Sequence, residues 1–185
     1  MDFASSNINK YYEINDLVSV MKDSIKVTFK KMELKEIQSD SLLEVAENKV
    51  LQAFKISQKE VFIEDAGLFI QALNDFPGVY SSYVNKTIGN LGILDLLANK
   101  VNRNASFKSI IAFHDGSKIE SFVGEIKGKI SFEPTNGGWG FDPIFVPDNT
   151  GLTFGQMDLK TKNKISHRKI ALDKFLNWYS SQKLK

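Results

Sequence analysis

The stretch Gly137-Gly138-Trp139-Gly140-Phe141-Asp142-Pro143-Ile144-Phe145-Val146-Pro147 restricts the fold more than any other part of the chain. Its three glycines let the backbone approach another group closely and take conformations closed to other residues. Two large rings and a carboxylate stand among them, and Pro143 fixes the direction in which the chain leaves. Residues 144–146 then make an apolar run with the length of a short buried strand. Two readings of the loop are open. It is either a tight turn whose rings pack into the core, or a flat ring beside a hydrogen-bond acceptor, which suits a planar ligand such as a nucleobase.

At 185 residues the chain is expected to form a single domain spanning 1–185, or one domain with two lobes, around an ample core. A hydrophobic content of 42% and no low-complexity tract fit a globular fold, while a net charge of +2 is too small to argue for nucleic acid. The absence of cysteine removes disulfides, thiolate zinc sites and a cysteine nucleophile. The N-terminus lacks the charged start and apolar centre of a signal peptide, and no apolar run reaches membrane-spanning length. A cytoplasmic protein is therefore expected.

Along the chain, residues 1–7 read as a brief strand running into a polar turn. Ile14, Leu17, Val18 and Met21 recur at helical spacing, so a helix starts near Asn7, with Ser5, Ser6 and Asn7 offering capping oxygens. Lys10 in its opening turn opposes the helix dipole, which is either a solvated lysine beside an ordinary cap or part of an anion cradle. Residues 25–29 read as a strand, with 34–37 a possible continuation. Leu42, Ala46, Val50 and Phe54 mark a second helix, with Lys49 at the edge of its apolar stripe, where lysines commonly snorkel. Residues 61–63 form a short apolar strand that reaches Glu64 and Asp65. If the chain stays extended there, these two face opposite ways and only one enters a given cleft; otherwise they form a turn.

A turn at 75–78 and a glycine-interrupted helix around 88–98 follow. Residues 107–113 and 118–123 read as strands of a hairpin closed by the Asp115-Gly116 step, which leaves His114 facing solvent; a further strand is expected at 128–132. The last helix carries Ala171, Leu172, Phe175, Leu176 and Tyr179 on one face, with Ser166 as its N-cap. Lys162, Lys164, His167, Arg168 and Lys169 crowd the positive end of that helix. They form either a solvated basic loop or a docking point for a phosphate.

Taken together, Ser5-x-Asn7-x-x-Lys10, Glu36-Ile37-Gln38, Glu64-Asp65-x-Gly67-Leu68, Phe76-Pro77-Gly78-Val79-Tyr80-Ser81, Gly138-Trp139-Gly140-Phe141-Asp142-Pro143-Ile144-Phe145, Thr153-Phe154 and Ser166-His167-Arg168 occur in order over nearly the whole chain. This ordered set resembles the non-canonical purine NTP pyrophosphatases, the inosine/xanthosine triphosphate pyrophosphatase family. The resemblance implies an elongated α/β fold in which a mixed twisted sheet forms two lobes with a central nucleotide cleft. It also implies hydrolysis of ITP, dITP and XTP to the monophosphate and pyrophosphate, dependence on Mg²⁺, and a homodimer.

Roles carry over by position. Ser5, Asn7 and Lys10 match the family's first phosphate-binding loop, and Lys49 a triphosphate-contacting lysine. Glu36 and Asp65 match metal-site carboxylates, with Asp65 also activating water. Trp139 matches the ring that stacks on the base, and Phe141 and Asp142 lie in the same base-contacting motif. Lys162, His167 and Arg168 match the group that contacts base and phosphates. Two departures stand out: Ala66 replaces the usual Ser or Thr after the catalytic Asp, and Trp139 stands where Phe is common. The alternatives are a pyrophosphatase for pyrimidine or other modified nucleotides, and a catalytically weak nucleotide sensor.

Overall fold

The apolar side chains of β1 (Asp2–Ser5) place it inside a parallel trio. Asp2 and Phe3 face Thr28 and Phe29 of β2 (Thr28–Lys31) on one side, and Val61 and Phe62 of β3 (Val61–Ile70) on the other. The computed structural model describes residues 1–19 and 26–183, so Met21 and Ile25, read above as a helical and a strand position, lie outside the described residues. The remaining strands are β4 (Pro77–Gly78), β5 (Asn104–His114), β6 (Ile119–Ile130) and β7 (Phe145–Pro147). They complete a seven-stranded mixed sheet in the order β2-β1-β3-β5-β6-β7, with β4 antiparallel to β3. Helices α1 (Ile8–Ser19), α2 (Leu42–Ser57), α3 (Ser81–Thr87), α4 (Gly89–Leu96), α5 (Leu159–Ile165) and α6 (His167–Lys183) accompany it, giving the mixed α/β class. Among the described residues, no helix is long and apolar enough to cross a membrane.

The chain divides into two compact units. Unit 1 comprises Met1–Asp65, Ser109–Gly124 and Arg168–Lys185. Its core joins Phe3, Ile14, Leu17, Phe62, Phe113 and Phe175. The helical stripe of α6 supplies Ala171, Leu172, Phe175, Leu176 and Tyr179 to that core, as its periodicity predicts. Unit 2 comprises Ala66–Lys108 and Glu125–His167, with a core of Leu68, Ile70, Phe107, Ile144, Phe145 and Phe154 among others. Each fully buried Phe or Ile contributes about 1.5–3 kcal/mol, so either cluster outweighs any single polar contact described below.

Several sequence expectations are revised. Strand β3 runs unbroken through Glu64, Asp65 and Gly67, so the acidic pair is not a turn. Gly67 is required there because a Cβ would collide with the Gly78 carbonyl across the ladder. Strand β6 is a single strand of 12 residues, because alternate residues keep one buried face through Gly124 and Gly128. No strand forms at 34–37, whereas the glycine-interrupted helix read around 88–98 does form, as α4. His114 does not face solvent. It ends the buried run of β5 at 7% exposure and stacks on Phe54 at 4.0 Å, while its Nδ1 accepts the Gly116 N–H at 2.9 Å. The hairpin turn itself forms as expected: Asp115 Oδ1 accepts the backbone N–H groups of Ser117 and Lys118.

Candidate active site

In unit 1, seven charged side chains form one connected chain. Lys49 Nζ lies 2.5 Å from Glu36 Oε1 and 2.7 Å from Asp65 Oδ2. Lys10 Nζ reaches Asp65 Oδ1 at 3.5 Å, Glu64 Oε2 at 3.0 Å and the Glu64 carbonyl at 2.9 Å. Arg168 Nη2 meets Glu64 Oε1 at 3.1 Å, and its Nη1 meets Glu13 Oε2. Ser109 Oγ donates to Glu64 Oε1 at 2.6 Å. Three cations therefore face four carboxylates, which leaves the cluster one formal negative charge. Burial draws the Lys49 ammonium toward neutrality, but Asp65 first and Glu36 after it outweigh that effect. Its pKa is held above the ordinary 10.5, and it stays charged.

Local structure explains how these groups meet. Ser41 caps α2 by accepting the Glu44 N–H at 3.3 Å, which fixes the helix that carries Lys49. Three residues on, Gln52 bonds both the N–H (2.9 Å) and the carbonyl (2.7 Å) of Lys35. That reciprocal pair holds the irregular segment against the helix and brings Glu36 to Lys49 on the same face. At the start of α1, Asn7 Oδ1 accepts the Asn9 N–H at 2.9 Å and Ser5 Oγ accepts the Asn7 N–H at 3.1 Å. The two side chains expected in a phosphate-binding loop thus shape the turn that presents Lys10. The carboxylates of Glu64 and Asp65 account for the cation in that first turn. Strand alternation does point Glu64 and Asp65 apart, burying the first more than the second. One long lysine nevertheless bonds both, so they are not confined to separate environments.

In unit 2, the glycine-aromatic loop is held from inside. Asp142, 3% exposed, accepts the Trp139 N–H at 3.0 Å and the Lys162 ammonium at 2.6 Å on the same oxygen, Oδ2. Lys162 also lies 5.4 Å from the centre of the Trp139 ring, within cation–π range. Gly138 adopts φ +68°, and a Cβ there would sit 2.8 Å from Asp142 Oδ2, so only glycine lets the carboxylate tuck beneath the loop. Trp139 is half-buried, whereas Phe141 is 4% exposed and packs into the core. Phe141 is therefore core, as the first of the two opening readings has it, while Trp139 is only half-buried beside the Asp142 carboxylate.

The basic cluster near the last helix is arranged differently from expectation. Lys162 and Lys164 occupy the last turn of α5, where cations complement the dipole, and are not at the start of α6. Ser166, extended and fully buried, separates the two helices. His167, 3% exposed, stacks on Phe107 with centroids 4.7 Å apart. Arg168 is 1% exposed, and its guanidinium holds Glu13 and Glu64 instead of standing in a solvated loop. Sequence reasoning missed Glu13 and Ser109. Glu13 was detectable, because it lies next to Ile14 and four residues before Leu17, on the buried stripe of α1 where a carboxylate requires a partner.

Comparison with known proteins places the chain. Residues 1–178 match the model of the Ham1 family. A protein of Thermococcus kodakarensis named dITP/XTP pyrophosphatase is 45% identical, covering 95% of this chain and 95% of its own. Proteins with the same name from Methanopyrus kandleri and Korarchaeum cryptofilum are each 42% identical, the former over 97% of this chain and 95% of its own, the latter over the whole of both. Among solved structures, the Staphylococcus aureus Ham1 protein superimposes with a TM-score of 0.82 at 27% identity, covering 98% of this chain and 100% of that one. With nearly its full length matched and its fold shared, the chain belongs to the Ham1 family.

Proposed function

We propose that the protein hydrolyses non-canonical purine nucleoside triphosphates, dITP, ITP and XTP, to the monophosphate and pyrophosphate. The observation that carries this reading is the convergence of Lys10 and Lys49 on Asp65, a carboxylate whose side chain is 13% exposed. The names of the relatives from three archaea support it.

Cleavage between the α and β phosphorus atoms needs a water directed at the α-phosphorus and neutralisation of charge on departing pyrophosphate. Asp65 orients that water and accepts its proton, and the two lysines that hold the carboxylate also face the phosphates. Among the described residues, no group of three or more His, Cys, Asp or Glu side chains forms a ready-made metal cage. Mg²⁺ does not require one. It binds through one or two carboxylates together with substrate oxygens and water, and Glu36 and Asp65, which converge on one ammonium, are the pair suited to hold it. Bound there, Mg²⁺ would screen the phosphate charge. Trp139 supplies a stacking face for the base, beside the fixed pair Asp142 and Lys162. A donor facing the purine 6-position is satisfied by a keto oxygen and opposed by the adenine amino group, which disfavours ATP. The reading includes a cytoplasmic homodimer.

Product analysis with Mg²⁺ tests the proposal. ITP and XTP should yield monophosphate and pyrophosphate, with ATP nearly untouched. Orthophosphate as the product means a different bond is cut. Equal turnover of pyrimidine triphosphates, or ITP binding without turnover, overturns the assignment in favour of a broader pyrophosphatase or a sensor.

A further inference from the structure

We infer that Asn90 is a positioning residue for the base-stacking loop, acting on Trp139 through the Gly140 carbonyl; the inference rests on the function proposed above. Asn90 lies in the first turn of α4, and its Nδ2 donates to Gly140 O at 3.2 Å across 50 positions of sequence. Gly140 follows Trp139 directly and adopts φ +63°. The loop around the ring is therefore tied at two places. Asp142 Oδ2 holds the Trp139 N–H on one side, and Asn90 holds the carbonyl one residue later on the other. Between these ties the Trp139 backbone has little freedom to move, so the point from which the ring projects is set before a base arrives. A pre-set anchor lowers the ordering cost of stacking and so strengthens base binding.

A second observation separates this role from ordinary packing. The Gly140 carbonyl can only accept, so the Asn90 amide must turn its NH₂ toward it, which fixes Oδ1 on the opposite side. That Oδ1 is buried and has no hydrogen-bond partner among the described residues. An acceptor buried in that way opposes folding. An apolar side chain at position 90 would relieve that penalty while giving up the bond to Gly140 O, so the two effects offset and the amide is not explained by stability. It is explained by the bond to the loop.

The two roles predict opposite signs. The test uses Asn90→Ala and Asn90→Asp in the full chain carrying Trp178→Phe, which leaves Trp139 as the sole tryptophan of the two. Measured are pyrophosphate release from ITP, quenching of Trp139 fluorescence by ITP, and the melting temperature. Asn90→Ala should raise KM for ITP roughly tenfold, change kcat by less than about threefold, and shift the quenching midpoint in parallel, with no fall in melting temperature. Asn90→Asp, isosteric but unable to donate to a carbonyl, should behave no better. A KM within about twofold of the parent overturns the inference, as does an affinity loss matched by a lower melting temperature. If neither the native chain nor the folded Trp178→Phe parent binds or hydrolyses ITP, the functional reading fails and the inference falls with it. If the parent works and Asn90→Ala equals it, only the inference fails.

Discussion

Replacing Glu13 by alanine removes one of the two carboxylates that face the guanidinium of Arg168. The arginine side chain is 1% exposed, that of Glu13 3% and that of Glu64 fully buried, so water cannot take the place of the lost partner. Breaking a buried ion pair from one side costs about 3–5 kcal/mol, because the remaining charge keeps its desolvation penalty. Here Glu64 still faces Arg168, but it also serves Lys10 and Ser109, so the compensation is partial. The lower end of that range, about 3 kcal/mol, is expected, which for a chain of this length lowers the melting temperature by about 6–12 °C. Lys169→Ala is the control: its pair with Asp173 is about one-third exposed and follows the i, i+4 spacing of a helix surface. It should cost no more than about 0.5 kcal/mol. Urea titrations followed by circular dichroism measure both variants, and Glu13→Gln, which retains an acceptor without the charge, should fall between them. A Glu13→Ala loss indistinguishable from that of Lys169→Ala would refute the claim that the pair is desolvated.

Two further outcomes follow from the same cluster. Asp65→Asn keeps the shape and removes the proton acceptor, so ITP turnover should drop by about 10²- to 10⁴-fold while equilibrium dialysis still detects nucleotide binding; near-parental turnover would remove Asp65 from water activation. Lys49→Met should destabilise the protein in a pH-dependent way. The folded-state pKa of Lys49 is raised, so the stability it contributes is fully present below its unfolded value near 10.5 and is lost as pH rises through the higher folded value. The difference between Lys49→Met and the parent should therefore be constant through neutral pH and shrink above about pH 10.5, and a gap that widens there contradicts the assigned sign.

Periodicity carried most of the fold in the sequence. The stripes of α1, α2 and α6 and the Asp-Gly hairpin all formed where local chemistry places them. The failures arose where tertiary contacts override local signals. Glycines in β3 and β6 suggest breaks, yet Gly67 and Gly128 mark close approaches within continuous strands. His114 resembles a loop residue until Phe54, 60 positions earlier in sequence, supplies a ring to stack on. At the site, residue types and their order were legible, but partnership was not. That Arg168 turns to Glu13 and Glu64 depends on contacts 155 and 104 residues apart, which no local pattern encodes.

Strand β3 has one more implication, through its pairing with β1. The ladder matches Asp2 with Val61 and Phe3 with Phe62, which in turn decides which acid points inward. A single inserted residue between Phe62 and Glu64 would invert every later side chain on that strand. Asp65 would then turn toward Arg168 and Ser109, and Glu64 would meet the two lysines with one methylene too many. The family's tolerance for changes at this place should accordingly extend to side-chain identity but not to chain length.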